Sequence, residues 1–217
     1  MKLALCVNSA DLPSAWQAVG DTPTTLPIHP DFWGINTFLV DRAICETDPS
    51  TQQLLPYNVL VDENDRVFVY SRGKGGAEAR LRGKLSIGVG GHVDGDVPPG
   101  FTLKGWLRVE AAREIEEEVR LKVFDAGVNF EHFLVDRSNP DGEKHPVGLV
   151  HLGLLSANRV HSADVHAVAA ENIEGASWMT INGVLAPEVY GRLEPWSRLA
   201  IGVLAGLRSV ATVAEAA

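Results

Sequence analysis

The segment from residue 102 to residue 121 constrains the fold more than any other part of the chain. Thr102 is a suitable N-cap, and apolar residues recur after it at helical spacing, so we expect a helix that ends near Leu121. At about 100° per residue, one stripe of this helix is apolar and should pack on the core. It consists of Ala111, Ala112, Ile115 and Val119. A neighbouring face concentrates four carboxylates: Glu110, Glu114, Glu117 and Glu118.

This acidic face has two interpretations. Like charges four residues apart, as in Glu110–Glu114 and Glu114–Glu118, destabilise a helix by a few tenths of a kcal/mol. A solvated acidic surface tolerates that cost. Binding of a hard cation such as Mg²⁺ is the other explanation, because Mg²⁺ binds carboxylate oxygens and completes its coordination shell with water and phosphate. The helix alone leaves both interpretations open.

The glycine-rich run from Gly88 to Asp96 favours the second interpretation. It follows a predicted buried strand, residues 85–90, and contains the adjacent pair Gly90-Gly91. Adjacent glycines let the backbone approach a ligand closely and expose carbonyl or N–H groups to it. Alone, such a run is also explained by a tight turn. A glycine-rich strand exit followed by a carboxylate-faced helix is more specific to a site for a metal or phosphate.

The remaining pattern is mixed α/β. We predict one hairpin from residues 57–62 and 66–70, and a second from 130–135 and 147–155 with its turn at 139–142. A short helix over 181–189 and a long one from Pro195 follow. Residues 1–50, with a strand near 35–40, are interpreted as an N-terminal extension packed on a main domain that spans residues 51–217 and includes the C-terminal helix.

The glycine run and the helix together resemble a known motif. Gly90-Gly91-His92-Val93-Asp94 followed by Arg113-Glu114-Ile115-Glu116-Glu117-Glu118 is similar to the Nudix box of the Nudix hydrolases, G-x5-E-x7-R-E-U-x-E-E-x-G-U, where U is a bulky aliphatic residue. This chain departs from the motif in three ways. The family's glutamate between the glycine and the Arg-Glu pair is not at its spacing, and Asp94 or Asp96 is the nearest acid. About nine additional residues follow Asp94 or Asp96, an insertion in the box, and Arg120 replaces the second glycine. The resemblance implies a Nudix-type α/β/α sandwich, with a mixed β-sheet flanked by helices.

The resemblance also implies an activity and residue roles. Nudix hydrolases typically use Mg²⁺ or Mn²⁺ to cleave a phosphoanhydride (pyrophosphate) bond in a nucleoside diphosphate linked to another group. Carried over to this sequence, Glu117 and Glu118 are the main metal ligands, and Glu114 is a further ligand or helps to deprotonate water. The carbonyl of Gly90 completes the metal shell, and Arg113 orients the glutamates.

Five further residues are candidates for binding substrate. Arg72 and Lys84 belong to a basic cluster that precedes the glycine strand: Arg72, Lys74, Arg80, Arg82 and Lys84. The cluster either receives phosphates or forms a solvated loop. Gly91 and His92 are candidates because of their place in the glycine run, and Trp33 is a candidate base-stacking residue in a lid. His151, within an apolar strand, is interpreted as a core histidine.

Composition limits the partners. A net charge of -9 argues against binding long nucleic acid, but not against a small phosphorylated substrate, since bound divalent cations supply positive charge. The apolar run 199–207 is too short for a membrane span of about 20 residues, so we expect no membrane partner. With Cys6 and Cys45 as reduced thiols, we expect a cytoplasmic protein. The apolar C-terminal helix leaves a homodimer open.

Two alternative functions remain. The first is a non-catalytic Nudix-fold module that binds a ligand or regulates a partner, which the altered glycine loop keeps open. The second is an enzyme like isopentenyl diphosphate isomerase, whose glycine loop can also read Gly-Gly-His. That chemistry requires a cysteine near the site, and neither Cys6 nor Cys45 is in a recognisable position for it.

Overall fold

A computed structural model describes residues 2–73, 81, 83–124, 127–138, 147–168 and 173–215. The strands are β1 (Leu3–Asn8), β2 (Thr24–Pro27), β3 (Phe38–Asp41), β4 (Thr51–Val61), β5 (Arg66–Arg72), β6 (Leu85–Ser86), β7 (Gly88–Val89), β8 (Phe130–Val135), β9 (His151–Arg159) and β10 (Ile173–Thr180). The helices are α1 (Ser14–Gln17), α2 (Arg42–Cys45), α3 (Leu103–Val119), α4 (Ile181–Leu185), α5 (Pro187–Tyr190) and α6 (Pro195–Glu215).

The strands form one mixed sheet around β4. Its main path runs β10-β5-β4-β9-β8-β2, and β1, β3, β6 and β7 pair off this path. β4 and β9 are parallel, while the other pairs are antiparallel. None of the helices among the described residues is both long and apolar enough to cross a membrane.

Helices cover both faces of the sheet, which confirms the predicted α/β/α sandwich. Side chains on one face of β4, such as Leu60, pack in one cluster with Ile115 of α3. Its neighbour Val59 points to the opposite face and packs in one cluster with Ile201 of α6. Because successive strand residues face opposite sides, β4 is buried on both sides and has apolar runs at 54–57 and 59–61.

The predicted first hairpin is present as β4 and β5, with Val61 paired to Val67. Its turn is organised by Asp62, whose Oδ1 accepts hydrogen bonds from the backbone N–H groups of Asn64 (3.0 Å) and Arg66 (2.7 Å). The predicted glycine strand is instead two short strands. It divides because β6 pairs with β5 whereas β7 pairs with β4, so the chain crosses from one neighbour to the other.

Three other predictions hold with changed bounds. β8 and β9 pair antiparallel as predicted, but the return strand begins at His151 because residues 147–149 form a 3-10 turn. The predicted turn 139–142 lies outside the described residues. The predicted helix over 181–189 is two helices, since Pro187 begins α5 and has no N–H to continue α4. The strand expected near residues 35–40 is β3.

The first 50 residues contribute strands to the same sheet. β1 pairs with β4 through Cys6↔Gln53, and β2 pairs with β8 through Leu26↔Phe133. These residues are therefore hydrogen-bonded into the sheet and do not only pack against it. The domain division at residue 50 stays a prediction.

Helix α3 begins as predicted. The Thr102 hydroxyl accepts a hydrogen bond from the backbone N–H of Gly105 at 3.1 Å, the expected N-cap. Its other end is at Arg120, which has left-handed backbone angles (φ 53°) and donates its N–H to the Glu116 carbonyl at 2.9 Å. This is the position where the Nudix box has glycine, so the departure costs backbone strain.

We therefore expect Arg120→Gly to stabilise the protein by about 0.5 to 1 kcal/mol, because glycine adopts positive φ without the Cβ clash. Urea unfolding of the two proteins measures the difference. Glu116→Gly, an exposed site inside the same helix, is the control and should destabilise by about 1 kcal/mol. Destabilisation by Arg120→Gly as well would show that residue 120 carries no such strain.

Candidate active site

The acidic face of α3 is organised by Arg113. Its Nη1 donates to Glu117 Oε2 at 2.8 Å, and its Nη2 donates to Glu114 Oε1 at 2.6 Å. Its Nε and Nη2 both donate to Glu110 Oε2, at 3.1 and 2.9 Å. One guanidinium thus holds three carboxylates that would otherwise repel each other. The orienting role predicted for Arg113 requires this arrangement.

Sequence reasoning placed Glu110 on the acidic face but gave it no role. The structure buries Glu110 and bonds its carboxylate twice to Arg113. The available signal was the spacing of three residues between the two, which places opposite charges side by side on a helix. Glu110 therefore anchors the arginine, while Glu117 extends toward solvent.

The glycine loop lies against this helix, as its place in the motif leads one to expect. The Gly90 N–H donates to Glu118 Oε2 at 3.2 Å. A Cβ on Gly91 would lie 2.8 Å from Glu114 Oε2, and a Cβ on Gly90 (φ 155°) would overlap the Pro56 carbonyl oxygen. Both glycines are therefore required by close contact, one with a carboxylate and the other with the neighbouring strand.

Burial differs along the acidic face. The Glu114 side chain is 14% exposed, and this burial raises the pKa of its carboxyl against the lowering effect of Arg113. Glu117 is open to solvent, with 55% of its side chain exposed. Burial alone would lower the pKa of Arg113, but the hydrogen bond to Glu110 and the charge of Glu114 raise it above its ordinary value.

These residues fit a hard divalent cation. Glu114, Glu117 and Glu118 offer only oxygen donors, the type that Mg²⁺ and Mn²⁺ prefer. The Glu114 carboxylate also lies against Gly91, in space that any side chain at position 91 would occupy. Gly90 contacts Glu118 through its N–H, and the predicted use of its carbonyl as a ligand stays a prediction.

Comparison with known proteins identifies the fold that carries this site. No protein-family model matches the chain. Over 164 residues it is 34% identical to Protein YmaB of Bacillus subtilis (strain 168), covering 75% of this chain and 76% of that protein. The fold is similar to the crystal structure of the Nudix hydrolase candidate Tm1382, with a TM-score of 0.68 and 24% identity over 95% of this chain and 99% of that one. The chain therefore has the Nudix fold.

A second solved structure shares the fold at lower similarity. It is a bifunctional NMN adenylyltransferase/ADP ribose pyrophosphatase from Francisella tularensis, in complex with AMP and a Mn ion. Its TM-score is 0.50 at 12% identity, covering 71% of this chain and 41% of that one.

The two basic residues predicted to bind substrate, Arg72 and Lys84, differ in their partners and exposure. Arg72 Nη1 donates to Glu194 Oε2 at 3.1 Å. Burial alone would lower the pKa of Arg72, but the Glu194 carboxylate raises it above its ordinary value. Lys84 is exposed. Lys74, Arg80 and Arg82 lie outside the described residues. Arg72 and Lys84, the cluster members among the described residues, thus differ in their surroundings, and sequence reasoning missed Glu194.

Trp33, the predicted base-stacking residue, is half-buried in a short 3-10 segment, Pro30–Gly34. Its ring meets Phe32 edge-on at 5.1 Å between centroids and lies 6.3 Å from the Phe130 ring. Lys104 Nζ lies 5.2 Å from the ring centroid, near the start of the Nudix helix α3. Packing therefore occupies much of this ring, and its role in stacking stays a prediction.

His92, next to the Nudix glycines, contacts two residues that sequence reasoning did not connect with it. Its Nε2 lies 3.3 Å from His151 Nε2, which lies 3.8 Å from Glu46 Oε1. Burial, and then the charge of Arg42, lower the pKa of His92 to about 3, so its imidazole is neutral. His151 is buried, as predicted for a core histidine, but it has polar neighbours. No spacing in the sequence signals this cluster, because its members come from three distant segments.

Proposed function

We propose that this Nudix protein is a divalent-metal-dependent hydrolase that cleaves a phosphoanhydride bond in a nucleoside diphosphate linked to another group. One observation carries the proposal. Arg113 gathers Glu110, Glu114 and Glu117, while Gly90 and Gly91 bring the glycine loop onto Glu118 and Glu114. A helix with only a structural role has no need for such a concentration of like charge beside a backbone free of side chains.

In this proposal, Glu117 and Glu118 bind Mg²⁺ or Mn²⁺, and the Gly90 carbonyl is a further ligand. Such ions neutralise phosphate oxygens and lower the pKa of a bound water. Glu114 would bind metal or accept a proton from the attacking water. Its carboxylate accepts a hydrogen bond from Arg113 at 2.6 Å and lies against Gly91. Arg113 keeps the carboxylates in position without contacting the phosphorus.

Five residues are proposed for the substrate side of the site. Gly91, His92, Arg72, Lys84 and Trp33 stay proposed substrate contacts, of which Gly91 lies directly against a proposed metal ligand. The Francisella structure named above combines an ADP ribose pyrophosphatase with AMP and Mn, which is consistent with a nucleotide substrate here. We further propose that the substrate is a small molecule and not long nucleic acid. We also propose that the protein is cytoplasmic, contacts no membrane and forms a homodimer.

A metal-supplemented substrate panel tests the proposal. The panel contains nucleoside triphosphates, dinucleoside polyphosphates, sugar nucleotides and dinucleotide cofactors, each with Mg²⁺, with Mn²⁺, or with EDTA. We expect release of a nucleoside monophosphate or of phosphate from at least one class with metal, and a loss of at least about a hundredfold with EDTA, since metal supplies several kcal/mol of charge stabilisation. Binding of a nucleotide without any cleavage would favour the non-catalytic module instead.

A further inference from the structure

A second group of metal-ligating side chains lies outside the Nudix box. Glu46, His92 and His151 each present one ligand atom, and these three atoms all lie within 4.8 Å of one another. Glu46 follows α2, His92 lies in the glycine loop, and His151 begins β9. Three segments that are far apart in the chain therefore bring two imidazoles and one carboxylate to one point.

We propose that Glu46, His92 and His151 form a separate site for a divalent transition metal such as Zn²⁺. Two imidazoles and a carboxylate are a donor set that suits Zn²⁺, Co²⁺, Ni²⁺ or Fe²⁺, whereas Mg²⁺ takes oxygen ligands. The site thus differs in metal class from the all-carboxylate site on α3.

The spacing of the two imidazoles matches a shared ion. Two nitrogens bound at about 2.05 Å to one tetrahedral Zn²⁺ lie about 3.3 Å apart. His92 Nε2 and His151 Nε2 are 3.3 Å apart. Glu46 Oε1 is 3.8 Å from His151 Nε2, only slightly farther than a tetrahedral nitrogen–oxygen pair requires. The three ligand atoms lie within 4.8 Å of one another, so binding needs the Glu46 carboxylate, which is 32% exposed, to move toward the histidine pair.

His151 Nε2 faces more groups than one hydrogen can bond, whereas a shared metal ion would bind all three side chains. A neutral imidazole nitrogen either donates one hydrogen or accepts one. His151 Nε2 faces both His92 Nε2 and Glu46 Oε1, so one hydrogen cannot serve both contacts. The other partner of Glu46 Oε1 is Arg42 Nη2, at a long 3.7 Å, a contact that a metal at this oxygen would replace.

The surrounding face carries an independent sign of a missing ligand. Gln53 is fully buried and is paired with His151 across the parallel strands, so the two side chains share one face of the sheet. Within the described part of the chain, neither Gln53 Oε1 nor Gln53 Nε2 has a hydrogen-bond partner. Buried amides are normally satisfied, and a water on a bound metal would supply a partner on this face.

The site is adjacent to the Nudix box but separate from it. Gly91 lies against Glu114, whereas the next residue, His92, contacts His151. Neighbouring residues in extended chain point to opposite sides, and Val93 again packs in one cluster with Leu107 of α3. A metal at the histidines would therefore fix the glycine loop from the side opposite the proposed catalytic glutamates, and it would replace the substrate contact proposed for His92.

Zinc titration of the full chain tests the proposal. The protein is stripped with a chelator, and excess Mg²⁺ is added to occupy the carboxylates of α3. We expect one equivalent of Zn²⁺ to bind, and bound Co²⁺ to show the visible absorption of a tetrahedral imidazole site. His92→Ala should weaken Zn²⁺ binding by at least about 100-fold, and Glu46→Gln should weaken it by about 10-fold. At about 100 times its dissociation constant, Zn²⁺ should raise the melting temperature of the unmodified chain by about 5 to 10 °C.

The control is His161→Ala, since His161 is an exposed histidine with Nδ1 4.0 Å from Glu63. It should bind Zn²⁺ like the unmodified chain, and circular dichroism verifies that each variant is folded. Zn²⁺ binding that is unchanged in folded His92→Ala and Glu46→Gln would overturn the proposal, as would binding that Mg²⁺ displaces. Because no hydrolysis is measured, failure of the proposed function leaves this result unaffected.

Discussion

Glu118→Gln is expected to reduce metal-dependent hydrolysis by about a thousandfold. A neutral amide oxygen is a weaker ligand than a carboxylate, and several kcal/mol of charge stabilisation in the transition state is lost with the ion. The fold should persist, because the amide oxygen of Gln can still accept the hydrogen bond from the Gly90 N–H, now 3.2 Å from Glu118 Oε2. The measurement is kcat/KM at saturating Mg²⁺ or Mn²⁺, on the best substrate of the panel.

The matched control is Glu116→Gln, the same change two residues earlier on the same helix. Glu116 points away from the acidic face, is 51% exposed, and its Oε1 lies 3.4 Å from Lys122 Nζ. It should retain turnover within about twofold, since an exposed pair contributes little. Equal losses in both variants would mean that net charge matters and that Glu118 binds no metal. Full turnover in both would move the active site away from α3.

The local part of this site was predictable from sequence. Glu110 and Glu117 lie three and four residues from Arg113, and helical geometry alone places such residues together. The capping of α3 by Thr102 and the two-sided burial of β4 follow from local rules of the same kind. The Nudix resemblance then linked the helix to the glycine loop, which periodicity alone does not do.

Contacts between distant segments were not predictable. Arg72 and Glu194 are 122 residues apart, and His92 and His151 are 59 apart. Their meeting depends on the parallel register of β4 and β9 and on the entry of α6, which no local pattern encodes. Arg72 was therefore interpreted through its basic neighbours in the chain, although its nearest acid in space is Glu194.

The second large effect is expected at Arg72 and concerns stability. Glu194 has a side chain only 3% exposed, and its Oε1 accepts hydrogen bonds from Tyr57 (2.8 Å) and Ser86 (2.7 Å). Arg72→Met would leave this carboxylate buried without its cation, at a cost of about 3 kcal/mol. With m about 3 kcal/mol/M, the midpoint of urea unfolding should fall by about 1 M.

Two comparisons separate this role of Arg72 from substrate binding. Arg159→Met breaks an exposed pair with Asp65, whose side chains are 69% and 48% exposed, and should cost less than about 1 kcal/mol. Adding Glu194→Gln to Arg72→Met should recover part of the lost stability, because no buried charge then remains unpaired. If Arg72 instead held substrate phosphates, as its basic neighbours suggested, Arg72→Met would raise KM and leave the urea midpoint unchanged. The Arg72 side chain is 34% exposed while its Nη1 is bonded to the buried Glu194, so the loss of that bond dominates the effect of Arg72→Met.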